Sequence, residues 1–327
     1  MLIRKDDTFF VAGHKGMVGS ALCRKLADYG YKNIKTISRT EVDLTNTEKV
    51  DEWFSCNKPD VVILAAAKVG GIQSNRDKPT EYLLDNIKIQ NNVIESSWKH
   101  NTRRFLFLGS SCIYPKFANQ PINEEELLSG PLEPTNDGYA LAKIVGIKLI
   151  KSLRIQYGFD GISLMPSNIY GPGDNYHPIN SHVLASFVRK FYKAFREKEE
   201  KVICWGSGSP YREFLHVDDL AEASIFALEN WNPDCKNSPK LDDGNLLTYL
   251  NVGTGLDLTI KELAQKIAMA YGYDGKIIWD TSKPDGTPRK KLNISRIESL
   301  GWSPKISLDD GIAEVINLFS KKHGQEM

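Results

Sequence analysis

The chain has 327 residues, 41% of them apolar, enough to fill the cores of about two domains. Its 42 Lys and Arg against 41 Asp and Glu leave a net charge of +1, which gives no reason to expect nucleic acid or a membrane surface as partner. Five widely spaced cysteines without a C-x-x-C pair argue against zinc or a disulfide framework, so no metal is expected and the thiols read as reduced and cytoplasmic.

The charged start Arg4-Lys5-Asp6-Asp7 reads as a chain without a signal peptide, and no apolar run approaches the ~18 residues of a membrane span. Thr8–Ala12 is a short strand that runs into Gly13-His14-Lys15-Gly16-Met17-Val18-Gly19, and helical spacing follows from Ser20 to Tyr29. Glycines between a first strand and a first helix let the backbone approach a pyrophosphate, whose charge the helix N-terminus favours. The next strand, Ile34–Ser38, ends at Arg39, twenty residues past Gly19. An acid there would suit the ribose hydroxyl of NAD. The arginine instead suits the 2'-phosphate of NADP, or is simply exposed. Asp43, followed by Leu44, could reach an adenine amino group or cap a helix starting near Thr45 or Thr47.

Asp60–Ala67 and Arg104–Leu108 have the unbroken apolar character of strands buried on both faces, and Glu81–His100 between them is helical. Strand and helix thus alternate three times by residue 108, which predicts right-handed crossovers and a doubly wound parallel sheet. Ligands of such sheets lie beyond the carboxyl ends of the strands, where Gly13, Arg39, Lys68–Gly71 and Ser110–Cys112 all fall. Residues 115–138, with four prolines, read as a loop over that crevice with a helical turn at Glu124–Leu128. A long helix follows from Tyr139 to about Tyr157. Its apolar positions exceed one stripe, which leaves a face for a second subunit.

Tyr139 and Lys143 are four apart, so they share a helix face, and an ammonium beside a phenol favours the phenolate. That pairing makes Tyr139 a candidate acid, with Ser110 a second donor to the same substrate oxygen. A surface Tyr and Lys is the plainer reading, and only their context argues against it. Ile162–Ile169 is a further strand. Beyond residue 171 a smaller second domain begins with a helix from Ser181 to Lys198. The Val217–Ala223 helix, capped by an acid, returns toward the first domain, so residues of about 214–255 belong partly to it. Trp231 and residues 232–248 offer little to bury and are expected to form a mobile surface insertion. Leu258–Tyr271 and Leu308–Lys321 are helices, and 283–290 is a loop.

The glycine loop, Ser110 and the Tyr139/Lys143 pair resemble the extended short-chain dehydrogenase/reductases. Longer blocks, Ala65–Ile72, Gly109–Pro115, Asn180–Val183, Trp205–Gly208, Arg212–Asp219 and Lys283–Lys290, resemble the branch of that family that converts GDP-4-keto-6-deoxy-D-mannose to GDP-L-fucose. The resemblance implies a Rossmann domain over residues 1–170, a smaller α/β substrate domain over 171–327, and an NADPH-dependent oxidoreductase with epimerase activity. It implies that Cys112 removes a proton at C3 or C5 of the sugar, that His182 returns one, and that Ser110 and Tyr139 hold the enolate oxygen. Tyr139 then protonates the C4 alkoxide after hydride transfer, with Lys143 lowering its pKa and holding the ribose. Implied NADP contacts are Gly13, His14, Lys15, Gly16, Met17, Val18, Gly19, Arg39, Asp43, Leu44, Leu108, Gly109, Ser110, Ser111, Tyr139, Lys143, Pro166, Ser167, Asn168, Ile169 and His182. Implied GDP-sugar contacts are Lys190, Trp205, Arg212 and Asp285, where Lys190 departs from an expected arginine. A homodimer through the helices at 86–100 and 139–157 is implied as well. The rival readings are another nucleotide-sugar epimerase or dehydratase, which would not need the Cys/His pair, and a non-catalytic NADPH-binding module, which could dispense with Tyr139.

Overall fold

The computed structural model describes residues 2–178 and 180–323. Five strands alternate with helices through the first half of the chain: β1 (Phe9–Ala12), α1 (Met17–Asp28), β2 (Ile34–Lys35), α2 (Thr47–Asn57), β3 (Val61–Leu64), α3 (Ile72–Asp77), α4 (Pro79–Lys99), β4 (Arg104–Leu108), α5 (Asp137–Tyr157) and β5 (Gly161–Pro166). Next come β6 (Asn168–Tyr170), α6 (Val183–Glu197), β7 (Lys201–Trp205), β8 (Tyr211–His216), α7 (Val217–Asn230), β9 (Tyr249–Val252) and β10 (Asp257–Thr259). The chain closes with α8 (Ile260–Tyr271), β11 (Lys276–Asp280), β12 (Arg289–Lys290), α9 (Ser295–Ser299) and α10 (Leu308–His323).

The main sheet has the order β2-β1-β3-β4-β5-β9, with every pair parallel. Parallel strands need crossovers, and here α1, α2, α4, α5 and α7 supply them, so β1, β3, β4 and β5 are buried along their whole length. This is the doubly wound α/β fold that the alternation predicts. Its carboxyl edge carries Gly13, Ala65, Gly109 and Ser167 side by side.

A second group of strands pairs around β8, with β10 antiparallel and β12 and β6 parallel to it, while β7 and β11 form a separate parallel pair. Helices α6 and α8 cover this region, and Phe187, Phe191, Leu263, Ile267 and Tyr271 fill a core distinct from that of the main sheet. The first core also takes Leu215, Leu220, Leu228 and Leu250, and then Leu292, Ile297 and Trp302 near the end of the chain.

Several local expectations need correction. The second strand stops at Lys35, and Ser38 instead turns to donate its amide and hydroxyl to the Glu41 carboxylate. Asp43 does not cap α2, since it accepts from the amide and hydroxyl of Thr45, and Asn46 is the cap, accepting from the Lys49 amide. The α7 cap is His216, whose Nδ1 accepts from the Asp218 amide, not an acid. Leu258 and Thr259 lie in a strand, and Thr259 with Glu262 forms a capping box that starts α8 only at Ile260. Trp231 does not belong to an open insertion either. It is wholly buried, and Arg104 donates to its carbonyl. The segment behind it is tied down where Asp234 meets Arg154 at 2.5 Å and Asp242 meets Arg296 at 3.0 Å.

Candidate active site

The glycine turn after β1 has the shape that a close ligand requires. Gly13 has φ +91°, and a Cβ there would lie 2.7 Å from the Ala66 amide nitrogen. A Cβ on Gly19 would fall 2.1 Å from the Gly13 carbonyl, so the helix packs directly on the turn. Gly16 caps α1 without any side-chain hydrogen bond, which leaves the first-turn amides for an anion. His14 Nδ1 and Ser167 Oγ are buried without a hydrogen-bond partner among the described residues, and both lie on the same sheet edge. These groups fit a dinucleotide. Arg39 is exposed and holds Asp43 through Nε at 3.1 Å, so the rest of its guanidinium is left free toward solvent.

The reactive group gathers where β4 ends and α5 begins. Ser110 caps the short turn 111–113, its hydroxyl accepting from the Cys112 amide at 3.2 Å. Cys112 therefore projects into the crevice from a fixed turn. Asn136 Nδ2 lies 3.2 Å from its sulfur and the Lys290 ammonium 3.6 Å from it. Burial pushes the thiol upward, but the Lys290 charge and the hydrogen bonds from Ser110, Lys290 and Asn136 outweigh it, so the thiol lies below its ordinary range. The sequence supplies no such neighbour for Cys112; the structure identifies Lys290 and Asn136. Neither carries a sequence signal. Lys290 ends a loop that carries a family resemblance but nothing that points at Cys112, and Asn136 precedes the helix in a polar run.

Tyr139 and Lys143 do share one face of α5, with the ammonium 5.8 Å from the phenol ring centre. Their electrostatics differ from the expectation. Burial pushes the Tyr139 phenol well up, the Cys112 charge adds to this, and Ser110 hydrogen bonding opposes it. Lys143 does not lower it. That lysine is buried, donates to the Leu108 carbonyl at 2.8 Å, and is pushed by burial down to about 7, so at neutral pH its charge is only about half present.

His182 is the residue that precedes α6; its carbonyl accepts from the Ser186 amide at 2.9 Å, but its side chain makes no capping hydrogen bond. The protein around its ring pushes the imidazole below its ordinary range, which favours the neutral form. It stands beside the Lys68–Gly71 loop, because a Cβ on Gly71 would approach the Ser181 carbonyl to 3.1 Å. Two asparagines that sequence reading misses build that loop. Asn86 Oδ1 accepts from the Lys68 amide while its Nδ2 donates to the Lys68 carbonyl, and Asn75 Nδ2 donates to the carbonyls of Gly70 and Gly71.

On the second core's side, Arg212 pairs in β-register with Lys290, so the residues proposed for diphosphate and for thiolate sit on adjacent strands. Trp205 is half exposed beneath two ammonium groups, Lys190 at 5.8 Å and Lys283 at 5.4 Å from its ring centre. Lys190 also donates to the Ile203 carbonyl. The Asp285 carboxylate is already engaged, accepting from the Ser207 amide and hydroxyl at 2.7 and 2.8 Å, and its backbone carbonyl accepts from Arg212. Its first task is therefore to fix the Trp205–Gly208 turn.

The pattern of the NAD dependent epimerase/dehydratase family matches residues 9–237. GDP-L-fucose synthase 1 of Arabidopsis thaliana is 50% identical over 97% of this chain and 94% of its own length. GDP-L-fucose synthase of Escherichia coli K12 is 48% identical over 95% of both. Among solved structures, the GDP-6-OMe-4-keto-L-xylo-heptose reductase of C. jejuni superposes with a TM-score of 0.91 at 32% identity, over 98% of this chain and 99% of that one.

Proposed function

The chain belongs to the NAD dependent epimerase/dehydratase family and, within it, to the GDP-L-fucose synthases, and on that premise we propose that it converts GDP-4-keto-6-deoxy-D-mannose to GDP-L-fucose by epimerisation at C3 and C5 followed by reduction at C4. It is an enzyme of nicotinamide chemistry. The observation that carries the full assignment is the Cys112 sulfur held between Asn136 and Lys290, next to Ser110 and Tyr139. A simple reductase has no use for an activated thiol there.

The C4 ketone acidifies the hydrogens on both flanking carbons. Cys112 as thiolate takes one of them, and the electron pair moves onto the ketone oxygen, which Ser110 and Tyr139 receive as donors. His182 returns a proton from the opposite face, and the same exchange at the second carbon completes the epimerisation. NADPH supplies the hydride at C4. Tyr139 protonates the resulting alkoxide, and its raised pKa keeps it in the form that can donate. Lys143 would hold the nicotinamide ribose, and an anionic dinucleotide beside it favours its ammonium form.

NADP is assigned by Arg39, whose outward fork suits a 2'-phosphate. The remaining dinucleotide contacts are assigned to Gly13–Gly19, Asp43, Leu44, Leu108–Ser111, Pro166–Ile169 and His182. The GDP-sugar is assigned to residues 171–327, with Arg212 and Lys190 on the diphosphate, Trp205 as an apolar face and Asp285 setting the turn. A homodimer is assigned to the outer faces of α4 and α5, which leave Leu84, Leu141 and Val145 exposed. Among the described residues no helix is long and apolar enough to cross a membrane, in keeping with a cytoplasmic enzyme.

The test is proton NMR of the 4-keto-6-deoxy sugar nucleotide in deuterated water with NADPH. NADPH consumption with deuterium at C3 and C5 is expected. Consumption without deuterium would make the protein a C4 reductase instead, and neither would return it to a binding role.

A further inference from the structure

We propose that Glu213 is a positioning residue for the epimerisation step, clamping the strand that carries Lys290 so that its ammonium stands against the Cys112 sulfur. This deepens the proposed function and rests on Cys112 being the base. Glu213 is wholly buried one residue after Arg212. Its Oε2 accepts from the Leu292 amide at 2.7 Å, and its Oε1 accepts from the amides of Thr254 and Gly255 at 2.6 and 2.9 Å. A single carboxylate thus joins β8, the turn after β9 and the segment leaving β12.

Leu292 is two residues beyond Lys290, so the clamp acts within one side-chain repeat of the ammonium. The other edge of the segment is held by Gln120 and Ile122. Gln120 Oε1 accepts from the Lys291 amide at 2.9 Å, and the Ile122 amide donates to the Lys291 carbonyl at 2.7 Å. Burial pushes the Glu213 carboxyl up to about 7, the charge of Asp257 adds to this, and the three amides oppose it. The cost of placing a carboxyl there is considerable, and a buried acid acting only as filler would be readily replaced by an apolar side chain. Among the described residues the Lys290 ammonium has no hydrogen-bond partner other than the sulfur, so its aim depends on its backbone. The other charged or titratable groups facing Cys112 are Arg212 from β8 and Tyr139 from α5, and neither depends on the Leu292 bond.

The test reads Cys112 directly, by iodoacetamide labelling of the full-length protein across pH with the Cys112 peptide quantified by mass spectrometry. Glu213→Gln keeps the volume but cannot accept at both ends. Its labelling midpoint should rise by about one pH unit, slowing labelling at neutral pH about tenfold. Lys290→Met should rise at least as far, and the double variant should match Lys290→Met alone. A wild-type midpoint in Glu213→Gln, with only a lower melting temperature, would make Glu213 merely structural and overturn the proposal, as would a further rise in the double variant. Should Glu213→Gln not fold, Gln120→Ala loosens the other edge, and there a smaller upward shift supports the clamp while none overturns it. Labelling needs no sugar, so failure of the clamp is separable from failure of the epimerase assignment, which deuterium uptake reads.

Discussion

Lys290 brings its ammonium to 3.6 Å from the Cys112 sulfur across 178 residues of chain, from the smaller strand group to the tip of the main sheet. The cation that lowers the Cys112 thiol comes from β12, which pairs with β8, and meets the turn that follows β4. Arg212 lies in register with Lys290 on the neighbouring strand. The arginine assigned to the diphosphate and the lysine assigned to the thiolate thus share one rigid piece of sheet, so docking the nucleotide and activating the base are geometrically linked.

Cys112→Ser separates the two halves of the reaction. A serine hydroxyl has a pKa far above that of a thiol, so the same neighbours cannot ionise it. Deuterium uptake at C3 and C5 should fall by at least ~100-fold, the lower end of what a general base contributes. Hydride transfer to an already epimerised ketone should change by less than about tenfold, because Ser110 and Tyr139 are untouched. Equal loss in both assays would remove Cys112 from its assigned role.

Arg39→Asp tests the cofactor. The substitution removes a cation from an exposed site and places an acid beside Asp43, whose pKa is held low by the Thr45 amide and by the arginine. The KM for NADPH should rise roughly 10- to 100-fold, the loss of a charged hydrogen bond, while that for NADH should change little. An unchanged ratio would mean that the 2'-phosphate is read elsewhere.

Much of this arrangement is legible in the sequence, and the reason is local. Phe9–Ala12, Val61–Leu64 and Arg104–Leu108 declare themselves as buried parallel strands by unbroken apolar runs, and the glycines at 13, 16 and 19 mark the turn that must approach a phosphate. Tyr139 and Lys143 share a helix face by spacing, and their context after the Ser110 turn, together with the family resemblance, singles them out. What escapes is long-range. Lys290 has no pattern pointing at residue 112, and Asn136 looks like any polar residue before a helix. Lys143 is harder to read, because helix spacing shows proximity to the phenol but not the burial that lowers its pKa to about 7. Trp231 misleads similarly, since polar neighbours hide a side chain that inserts beneath the sheet.

Trp231→Ala should be among the most damaging single changes outside the crevice. The indole is fully buried at the end of α7, and its carbonyl anchors the buried Arg104 of β4 at 2.5 Å. Removing a buried tryptophan costs about 3–5 kcal/mol. Urea unfolding should show a midpoint lowered accordingly, with the Cys112 labelling profile preserved in the protein that remains folded. A cost below about 1 kcal/mol would return residues 231–248 to the status of surface insertion.

Lys143→Met yields the sharpest dependence on pH. Burial lowers the folded pKa of Lys143 to about 7, far below its value in an unfolded chain. Between pH 7 and the unfolded value, about 10.4, the unfolded chain holds a proton that the native state has released, so this group makes stability rise with pH across that window. Below pH 7 both states hold the proton and the full cost of a buried ammonium is present. Lys143→Met should therefore raise the melting temperature by several degrees at pH 6, and the gain should shrink toward zero as pH approaches 10. The same logic predicts proton uptake when the anionic dinucleotide binds above pH 7, since the ligand restores the ammonium. Calorimetry in buffers of different ionisation enthalpy should show that uptake in the wild type and lose it in Lys143→Met. A melting temperature that is unchanged or lower at pH 6, with proton uptake retained, would show that Lys143 is charged throughout and that the Leu108 carbonyl suffices to keep it so.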